Sequence, residues 1–450
     1  MPAFLFSRLK GSKCIAFCLT YNSFCTYKNY GRDQVAQTQF LRKKRYPELF
    51  RPVIVSKAFR YLWIGNSLST FGSSITNVIL PLLVYELTSS PMAMSMIMAA
   101  YMIPEVLILP ISGVIVDRLN RAKIMRAADL IRFILTIGVM LLGLTGHLSI
   151  AALVVMMAAM GLMSGLFQPA FSAMRATVFL PDIRNSANAL SQFTEQLLRL
   201  LGPSVGGLII SLTTASLGFG IDGFTYLISF ICLMFLTHTG GVNRKPQQTQ
   251  SFIHECFEGI RVIKKSTWLW VTILFFSFIN ICSTGVVVVL IPWLIKVHDQ
   301  LPAYIYGIAM SGSAFGSILT AFVFGMRKKW RFRGLLAYGG IALSGLALFV
   351  MPFAHQTVFL TLLMALEGAG TMLFGLIWET SLQEMVAPEA FGRVASLDMV
   401  GSFALLPIGY LLTGWLSGVI GGVGTIILMS GIVVFANALI LLVPGIRKFD

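Results

Sequence analysis

The stretch Gly113-Val-Ile-Val-Asp117-Arg118-Leu-Asn-Arg121-Ala-Lys123 joins two long apolar runs of this chain, and it is both short and basic. A counterpart, Gly325-Met-Arg327-Lys328-Lys329-Trp-Arg331-Phe-Arg333-Gly334, joins two later apolar runs and keeps the glycine and the basic charge, although it lacks the aspartate. Loops rich in Lys and Arg mark the cytoplasmic side of a membrane because they resist translocation. The two stretches therefore predict a membrane protein that contains an internal repeat.

The apolar runs on either side of these loops are long enough to cross a bilayer. A helical span needs about 20 apolar residues, and twelve such runs lie between Phe59 and Val443. They are continuous and do not alternate with period two, which favours helices over a β-barrel. We expect the spans at 60–86, 93–116, 124–144, 149–172, 188–213, 220–237, 267–295, 303–325, 334–353, 357–379, 392–416 and 423–443. The predicted fold class is an all-α membrane protein with twelve transmembrane helices in two six-helix, pseudo-symmetric halves.

The placement of charge predicts the orientation. Of 34 Lys and Arg residues, only Lys296 falls in a loop that is predicted to face outward, and the others lie in or beside the alternate loops and the two tails. Because the number of spans is even, both termini are predicted to be cytoplasmic. A charged fraction of 12% excludes a soluble globule, in which it is about a quarter. The net charge of +16 therefore reports topology and does not suggest a nucleic-acid partner.

Four segments are expected along the chain. Residues 1–58 are predicted to form a poorly ordered, basic cytoplasmic tail, 59–237 the first six-helix half, 238–266 a cytoplasmic linker with an amphipathic helix, and 267–450 the second half. The next methionine after the first residue is Met92, past the first span. We also expect part of the tail to be untranslated in the cell, with initiation at a non-Met codon near Phe50–Lys57. The three tail cysteines lack a fourth ligand for zinc, so no metal and no cofactor are predicted.

The first basic loop resembles the signature G-x-x-x-D-R-x-x-R-[RK] of the major facilitator superfamily, departing only at Ala122. At this loop we expect a latch that holds the cytoplasmic side shut, with a glycine for close helix approach, an aspartate that caps the next helix or pairs with a base, and basic donors. The predicted latch residues are Gly113, Asp117, Arg118, Arg121 and Lys123. A loop that is merely positive is the alternative, although it would not require the aspartate.

Within this superfamily the chain is similar to the efflux branch that holds macrolide exporters and the enterobactin exporter. The resemblance rests on Phe59-Arg-Tyr-Leu-Trp-Ile-Gly-Asn, Ala128-Asp129-Leu130-Ile131-Arg132, Gly392-Arg393-Val394-Ala395-Ser396-Leu397 and Ile446-Arg447-Lys448.

The fifth predicted span carries a further resemblance, to the antiporter motif G-x-x-x-G-P-x-x-G-G. Its residues are Gly202, Pro203, Gly206 and Gly207, and Leu198 replaces the first glycine of the motif. We expect the proline and glycines to bend this helix and to allow tight packing where the halves meet. A simple packing kink is the alternative.

Two acids are predicted near mid-span, Glu105 in the second span and Glu367 in the tenth. Burying an ionisable group at this depth costs about 2.5–3.5 kcal/mol on insertion scales, so each needs a reason. Glu367 shares a helical face with Thr371, Phe374 and Trp378. The resemblance implies that the tenth span lines the central path, which makes Glu367 the favoured proton-coupling acid and Glu105 a second one. A hydrogen-bonded acid that is buried for packing is the alternative for both.

Polar and aromatic stripes mark further cavity candidates. The resemblance implies that the first, fourth, seventh and tenth spans line the path, and these spans carry such stripes here. They are Asn66, Thr70, Ser73 and Asn77 on the first span; Ser164, Gln168 and Phe171 on the fourth; Phe276, Asn280 and Thr284 on the seventh; and Thr371, Phe374 and Trp378 on the tenth. Hydrogen bonding between helices is the alternative for any single residue.

Other charges are interpreted as structural. We expect inner-side ion pairs and a helix cap at Asp222, at the outer start of the sixth span. The pairs are Asp129 with Arg132, Glu195 with Arg199, and Arg393 with Asp398.

The sequence lacks a G-x-x-x-x-G-K-[ST] loop and an H-E-x-x-H motif, so neither an ATP-driven pump nor an enzyme is predicted. We therefore expect a monomeric secondary transporter in a bacterial plasma membrane, with a small-molecule substrate, protons and the lipid bilayer as partners. It would export a small amphipathic compound, such as a drug, macrolide or siderophore, by proton antiport and alternating access. The alternatives are a lipid or lysolipid flippase of the same fold and a transport-silent membrane sensor or assembly factor.

Overall fold

The computed structural model describes residues 48–236, 261, 266–326, 332–386, 394, 397–399, 401–443 and 446–447, without the side chains of Val114 and Asp117. Every regular element in these residues is a helix. Most of the predicted tail 1–58 and nearly all of the predicted linker 238–266 lie outside the described residues, as do residues 327–331 of the second basic loop.

The first half contains six long helices. They are α1 (Lys57–Thr88), α2 (Pro91–Arg118), α3 (Arg121–Leu144), α4 (Ile150–Val178), α5 (Arg184–Leu212) and α6 (Ala215–Met234). A short helix, Arg51–Val55, precedes α1.

The second half repeats this order. Its helices are α7 (Thr267–His298), α8 (Ala303–Gly325), α9 (Arg333–Val350), α10 (Thr357–Met385), α11 (Leu406–Ile420) and α12 (Gly422–Ile440). The α-helical part of α7 ends at Gly285, and π-helical turns follow over Val286–Leu290 and Leu294–His298. Pro292 lies between these turns and cannot donate a backbone hydrogen bond, which accounts for the irregular ladder.

Side-chain caps fix where several helices begin, because their oxygens accept from free backbone N–H groups of the first turn. The capping residues are Ser56, Ser90, Asn120, Ser149 and Thr214. Two expectations are corrected by this pattern. Asn120, not Asp117, caps α3, and its Oδ1 accepts from the backbone of Lys123 at 3.2 Å. Asp222 is not a cap either, since α6 begins after Thr214 and Asp222 lies well inside it.

The predicted all-α membrane fold is confirmed. Eleven helices in the described residues are long and apolar enough to cross a membrane, with the span of α11 counted from Leu397. The exception is α5, which has 29 residues but carries Glu195 and Arg199 near its middle. The count of twelve spans stays a prediction.

The outer surface suits contact with lipid. Large apolar side chains such as Leu107, Phe322 and Leu442 are 69%, 68% and 69% exposed. Contiguous apolar surface of this kind is rare on water-soluble monomers and marks an interaction surface.

Helix packing follows a pseudo-two-fold pattern. In the first half, α2 packs on α4 and α3 on α6; in the second half, α8 packs on α10 and α9 on α12. Between these groups, α2 packs on α11 and α5 on α8, and the pseudo-two-fold exchanges these two contacts. This is the packing that two parallel repeats require. The boundaries 59–237 and 267–450 for the halves stay predictions.

One end of the bundle is closed. The C-terminal part of α1 is almost fully buried from Ile75 to Tyr85, and it lies against the π-helical part of α7. The hydroxyl of Tyr85 donates a 2.5 Å hydrogen bond to the carbonyl of Val289. In the predicted orientation this is the outer end of the molecule.

Candidate functional site

A recess opens between α1, α4 and α5 toward the opposite, predicted cytoplasmic end. It encloses about 450 Å³, including its open mouth. Its wall mixes aromatic, amide, hydroxyl and charged side chains. The lining residues are Leu62, Trp63, Asn66, Ser67, Thr70, Phe171, Arg175, Phe179, Ser191, Gln192, Glu195 and Leu198.

The polar groups of the recess are unevenly satisfied. Nε1 of Trp63 is buried, and among the described residues it has no hydrogen-bond partner. The guanidinium of Arg175, by contrast, lies 5.8 and 5.2 Å from the ring centroids of Phe171 and Phe179, and it donates to Oδ1 of Asn188 at 2.9 Å. The indole N–H is therefore an unused donor beside the recess, while Arg175 is already engaged.

The acid of the recess belongs to an exposed pair. Glu195 accepts from Arg199 one turn later at 2.9 Å, and the two side chains are 38% and 63% exposed. Water screens a pair of this kind, so its net stabilisation is small and Glu195 can exchange partners.

The predicted stripe on α1 divides between two surroundings. Asn66 and Thr70 line the recess, and Asn77 is exposed. Ser73 faces α6, where its hydroxyl lies 2.9 Å from the hydroxyl of Tyr226. For Ser73 the structure therefore shows the hydrogen-bonding alternative.

Two of the three predicted α4 residues lie near open space. Phe171 lines the recess, and Gln168 is exposed. Ser164, on the same predicted stripe, is buried instead.

The aromatic residues of α10 are buried in a stack. Phe374 lies face to face with Phe276 of α7 at 4.4 Å between centroids and with Trp378 at 6.4 Å. Trp378 also meets Trp268 edge-on at 5.9 Å. Exposed fractions of 2% for Phe374 and 7% for Trp378 show that other rings cover their faces in this conformation. That these residues line the substrate cavity stays a prediction.

Other residues of α7 and α10 have polar surroundings. Nδ2 of Asn280 donates to the carbonyl of Ser402 at 3.3 Å, just before α11. Thr371 is exposed, together with Gly375 and Glu379 at four-residue spacing. Gly375 and Glu379 were not predicted from the sequence, although this spacing was the available signal.

Glu367 is buried between α10 and α8. Its Oε2 accepts a 2.8 Å hydrogen bond from Oγ of Ser313, and the residue is only 7% exposed. Gly368 makes this possible, because a Cβ there would collide with the backbone of Ser313. The carboxyl therefore faces α8, and in this conformation it is shielded from water.

Glu105 has a related environment on α2. Its half-buried carboxyl lies beside Ser164 of α4 and within the electrostatic reach of Arg132 of α3. Since the pseudo-two-fold exchanges α2 with α8 and α4 with α10, Glu105 with Ser164 mirrors Ser313 with Glu367, the acid and the serine having exchanged places.

The predicted latch residues lie at the end of α2 and the start of α3. A Cβ on Gly113 would meet no described atom within 4 Å, so the expected close approach at this glycine is wrong for this conformation. Nη1 of Arg121 donates to the carbonyl of Ala173 of α4 at 3.1 Å. Arg118 and Lys123 are exposed. The side chain of Asp117 lies outside the described set.

The glycine motif of α5 lies where three helices meet. Gly202 and Gly206 face α1, and a Cβ on Gly206 would lie 3.0 Å from the carbonyl oxygen of Ile75. Gly207 faces α8, where a Cβ would lie 3.2 Å from Cα of Gly307.

Polar contacts accompany this seam. The carbonyl of Pro203 lies against Gly307. Next to it, the hydroxyls of Ser204 and Ser311 are 2.7 Å apart. Close backbone contact between α5 and α8 is therefore present where the two halves meet.

The two predicted ion pairs that fall within the described residues each lie within one helix. Asp129 lies 3.7 Å from Arg132 within α3, and Glu195 pairs with Arg199 within α5. Arg393 lies outside the described residues, while Asp398 accepts from Nε1 of Trp378 at 3.0 Å. The two described pairs do not bridge the halves.

Comparison with known proteins places these features in context. The family model described as Major Facilitator Superfamily matches residues 62–405. Macrolide efflux protein A of Streptococcus pyogenes is 24% identical over 401 residues, which cover 87% of this chain and 97% of that protein. The multidrug efflux pump Tap of Mycolicibacterium fortuitum is 21% identical over 389 residues, covering 84% and 94%.

A solved structure has the same fold. The nucleoside transporter NupG superposes with a TM-score of 0.68 at 12% identity, covering 85% of this chain and 99% of the other.

Proposed function

The chain belongs to the major facilitator superfamily, and we propose that it exports a small amphipathic compound in exchange for protons by alternating access. Its relatives include a macrolide efflux protein and a multidrug efflux pump, and it spans nearly their whole length. The resemblance to the efflux branch that the sequence predicts is thereby confirmed. The coupling ion, the substrate class and the cycle are proposals.

The observation that carries the proton proposal is the surroundings of Glu367. Its carboxyl is buried, and its side-chain hydrogen bond among the described residues comes from the neutral hydroxyl of Ser313. An ionised carboxylate without a cationic partner is costly at this depth, so the group favours its protonated form while it is shielded. When helix movement admits water, the proton can leave. A proton is then carried in one direction as the solute is carried in the other.

Alternating access is supported by the unequal ends of the bundle. The Tyr85 contact with Val289 closes one end, while the recess opens the other. The seam of Gly207 and Gly307 provides a surface on which the halves can rotate, because nothing larger than a backbone separates α5 from α8 there. We propose that the Gly113 to Lys123 latch closes when the cytoplasmic end closes, which accounts for its uncovered glycine in this conformation.

An amphipathic solute suits the recess. Its wall combines aromatic rings with amide, hydroxyl and charged side chains, as small-molecule sites do. Aromatic rings provide apolar contact, the Trp63 N–H provides a donor, and Glu195 can attract an amine. We place this recess on the cytoplasmic side of a bacterial plasma membrane, where it would collect solute before export, with both termini in the cytoplasm.

Everted membrane vesicles that contain the full chain test this function. Erythromycin and ethidium serve as probes, and an imposed proton gradient, acidic inside, drives uptake. We expect uptake of at least one probe that vesicles without the protein lack and that an uncoupler abolishes. Uptake that persists in the presence of the uncoupler would contradict proton coupling. The absence of uptake of both probes would contradict export of this solute class.

A further inference from the structure

A buried cluster of charged side chains lies in the first half, apart from the recess and from Glu367. It consists of Asp129 and Arg132 on α3 and Asp222 on α6, hereafter the Arg132 cluster. Their exposed fractions are 0%, 8% and 1%. Charged side chains buried this completely at membrane depth are rare and mark functional positions.

The two aspartates each receive one short hydrogen bond from a hydroxyl. Oδ2 of Asp129 accepts from Ser229 at 2.7 Å, and Oδ2 of Asp222 accepts from Thr76 of α1 at 2.7 Å. Oδ1 of Asp129 has no hydrogen-bond partner among the described residues, and Nη1 of Arg132 lies 3.7 Å away. That separation exceeds a hydrogen bond, so the pair is only loosely engaged.

Arg132 is held in the middle of this group by ring faces. Its Cζ lies 4.8 Å from the ring centroid of Phe167 on α4 and 5.6 Å from that of Tyr226 on α6. From this position its charge interacts with the carboxyls of Asp129, Asp222 and Glu105. Asp129 is the carboxyl nearest to the guanidinium, and those of Asp222 and Glu105 lie beyond ion-pair distance but within its electrostatic reach.

The charges of the three acids and the single base do not balance if every acid is ionised. One guanidinium can neutralise one carboxylate, so two further ionised carboxyls would leave buried negative charge without a counter-charge. Such charge is removed by proton binding, in which a carboxylate oxygen forms an O–H bond. We propose that the Arg132 cluster is a second proton-binding site of this transporter, at which Arg132 can change partners among Asp129, Asp222 and Glu105.

The remaining groups that face the cluster do not supply a second cation. On α2 they are Tyr101 and Glu105, on α6 Tyr226, and on α11 Tyr410, which lies near Tyr101 and Glu105. The contacts from α1 and α4 come from the hydroxyls of Ser73, Thr76 and Ser164 and from the ring of Phe167. The balance of three acids to one base therefore holds for the described residues around the site.

The site has a direct connection to the solute path through α1. Gly72 brings α1 so close to α6 that a Cβ there would collide with Thr225 and Asp222. The same helix carries Thr76 and the recess residues Asn66 and Thr70. A change of charge at Asp222 therefore acts on the helix that contacts the solute. This inference rests on the proposed proton antiport, since it adds a second proton to that cycle.

Infrared spectroscopy of the full chain in lipid nanodiscs tests the proposal without any solute. Protonated carboxyls give a C=O stretching band that carboxylates lack. We expect wild-type protein at neutral pH to show this band. Asp222→Asn or Asp129→Asn should lower its intensity by the contribution of one protonated carboxyl. Asp182→Asn is the matched control, because Asp182 is an exposed aspartate between α4 and α5, outside the Arg132 cluster.

Variants of the arginine provide a second test if an aspartate variant does not fold. Arg132→Gln removes the counter-charge, so we expect the band to grow by one carboxyl's share. Arg132→Lys keeps the charge, so we expect it to stay near the wild-type intensity. A band that is the same in wild type, in both aspartate variants and in Arg132→Gln would overturn the proposal.

The same samples separate this proposal from the proposed function. The band of the Arg132 cluster should persist in Glu367→Gln after the share of Glu367 is subtracted. If the cluster variants change the band but the protein transports neither probe, the proposed antiport is wrong and the proposed proton site stands. If the wild type transports a probe but the cluster variants leave the band unchanged, the proposed antiport stands and the proposed proton site is wrong.

Discussion

Oγ of Ser313 on α8 donates a 2.8 Å hydrogen bond to Oε2 of Glu367 on α10, and this bond crosses a helix contact that Gly368 keeps close. The bond stabilises the ionised carboxyl, because an O–H donor interacts more strongly with a carboxylate than with a carboxylic acid. In the proposed cycle, Ser313 would therefore adjust the pH at which Glu367 releases its proton.

Ser313→Ala should shift the pH profile of erythromycin uptake to more alkaline pH. Without the donor, the ionised form of Glu367 is less stable and the proton leaves only at higher pH. The KM for erythromycin should change little, since Ser313 does not line the recess. Uptake measured in everted vesicles across a pH series checks this.

Ser317→Ala is the matched control, because Ser317 lies one turn later on α8 and donates to backbone carbonyls. Profiles of Ser313→Ala and Ser317→Ala that coincide with the wild type would show that the Ser313 bond does not act on proton release.

Gly207→Ala should slow transport about tenfold or more. The added methyl group would lie 3.0 Å from Cα of Tyr304 and 3.2 Å from Cα of Gly307, and these backbone atoms cannot move aside locally. Overpacking of this kind costs about 1–3 kcal/mol, here at the seam on which we propose that the halves rotate. Initial rates of uptake, together with thermal unfolding in detergent, check this prediction.

The control for that change is Gly138→Ala on α3, where the new methyl group would meet no described atom within 4 Å. Equal rates for the two glycine variants would remove the seam from the transport cycle.

Tyr85→Phe should favour opening of the outer end. The substitution removes the 2.5 Å bond to the carbonyl of Val289 and leaves the ring in place. A net hydrogen bond contributes about 0.5–1.5 kcal/mol, which corresponds to a shift of about two- to tenfold in the conformational equilibrium. The readout is the rate at which a maleimide that cannot cross the membrane labels Asn77→Cys, in a background without native cysteines. We expect Tyr85→Phe to raise this rate.

Tyr304→Phe serves as the control, since Tyr304 lies at the start of α8 and is 43% exposed. Labelling that Tyr85→Phe leaves at the wild-type level would show that this contact is not part of the outer closure.

The spans and the glycine seam could be predicted from the sequence because each depends on local composition. Continuous apolar runs place helices within a few residues, and the Gly202 to Gly207 motif signals close helix packing wherever it occurs. The neighbour of Glu367 could not be predicted in this way. Helical periodicity assigns Glu367 to the face of Thr371 and Phe374. Only the packing of α10 on α8 shows that Ser313 donates a hydrogen bond to its carboxyl.

The Arg132 cluster was missed for a related reason. An error of a few residues at the start of α6 turned Asp222 into a helix cap, although Thr214 supplies the cap and Asp222 is buried against Thr76. The pairing of Asp129 with Arg132 was visible as helical spacing. The approach of a third acid from another helix depends on tertiary packing, which single-sequence patterns do not contain.

Trp63→Phe should raise the KM for erythromycin about two- to tenfold and leave the maximal rate unchanged. The buried Nε1 of Trp63 has no partner among the described residues, so we expect it to donate to an acceptor atom of the bound solute. The variant would lose the binding free energy of that one hydrogen bond. Concentration series in the vesicle assay measure this split.

The matched control for Trp63→Phe is Trp270→Phe, since Trp270 on α7 is 39% exposed and does not line the recess. A KM that changes equally in both variants would show that the indole of Trp63 does not contact the solute.

The most direct test of proton-coupled export compares Glu367→Gln with Glu384→Gln in two vesicle assays. Glu384 lies on the same helix, is 54% exposed and pairs with Arg333 at 2.6 Å, so it controls for loss of a carboxylate from α10. One assay measures erythromycin uptake driven by a proton gradient, and the other measures exchange of labelled for unlabelled erythromycin without a gradient. We predict that Glu367→Gln loses driven uptake at least tenfold and keeps exchange, while Glu384→Gln keeps both. Driven uptake by Glu367→Gln at the wild-type rate would contradict proton coupling at Glu367.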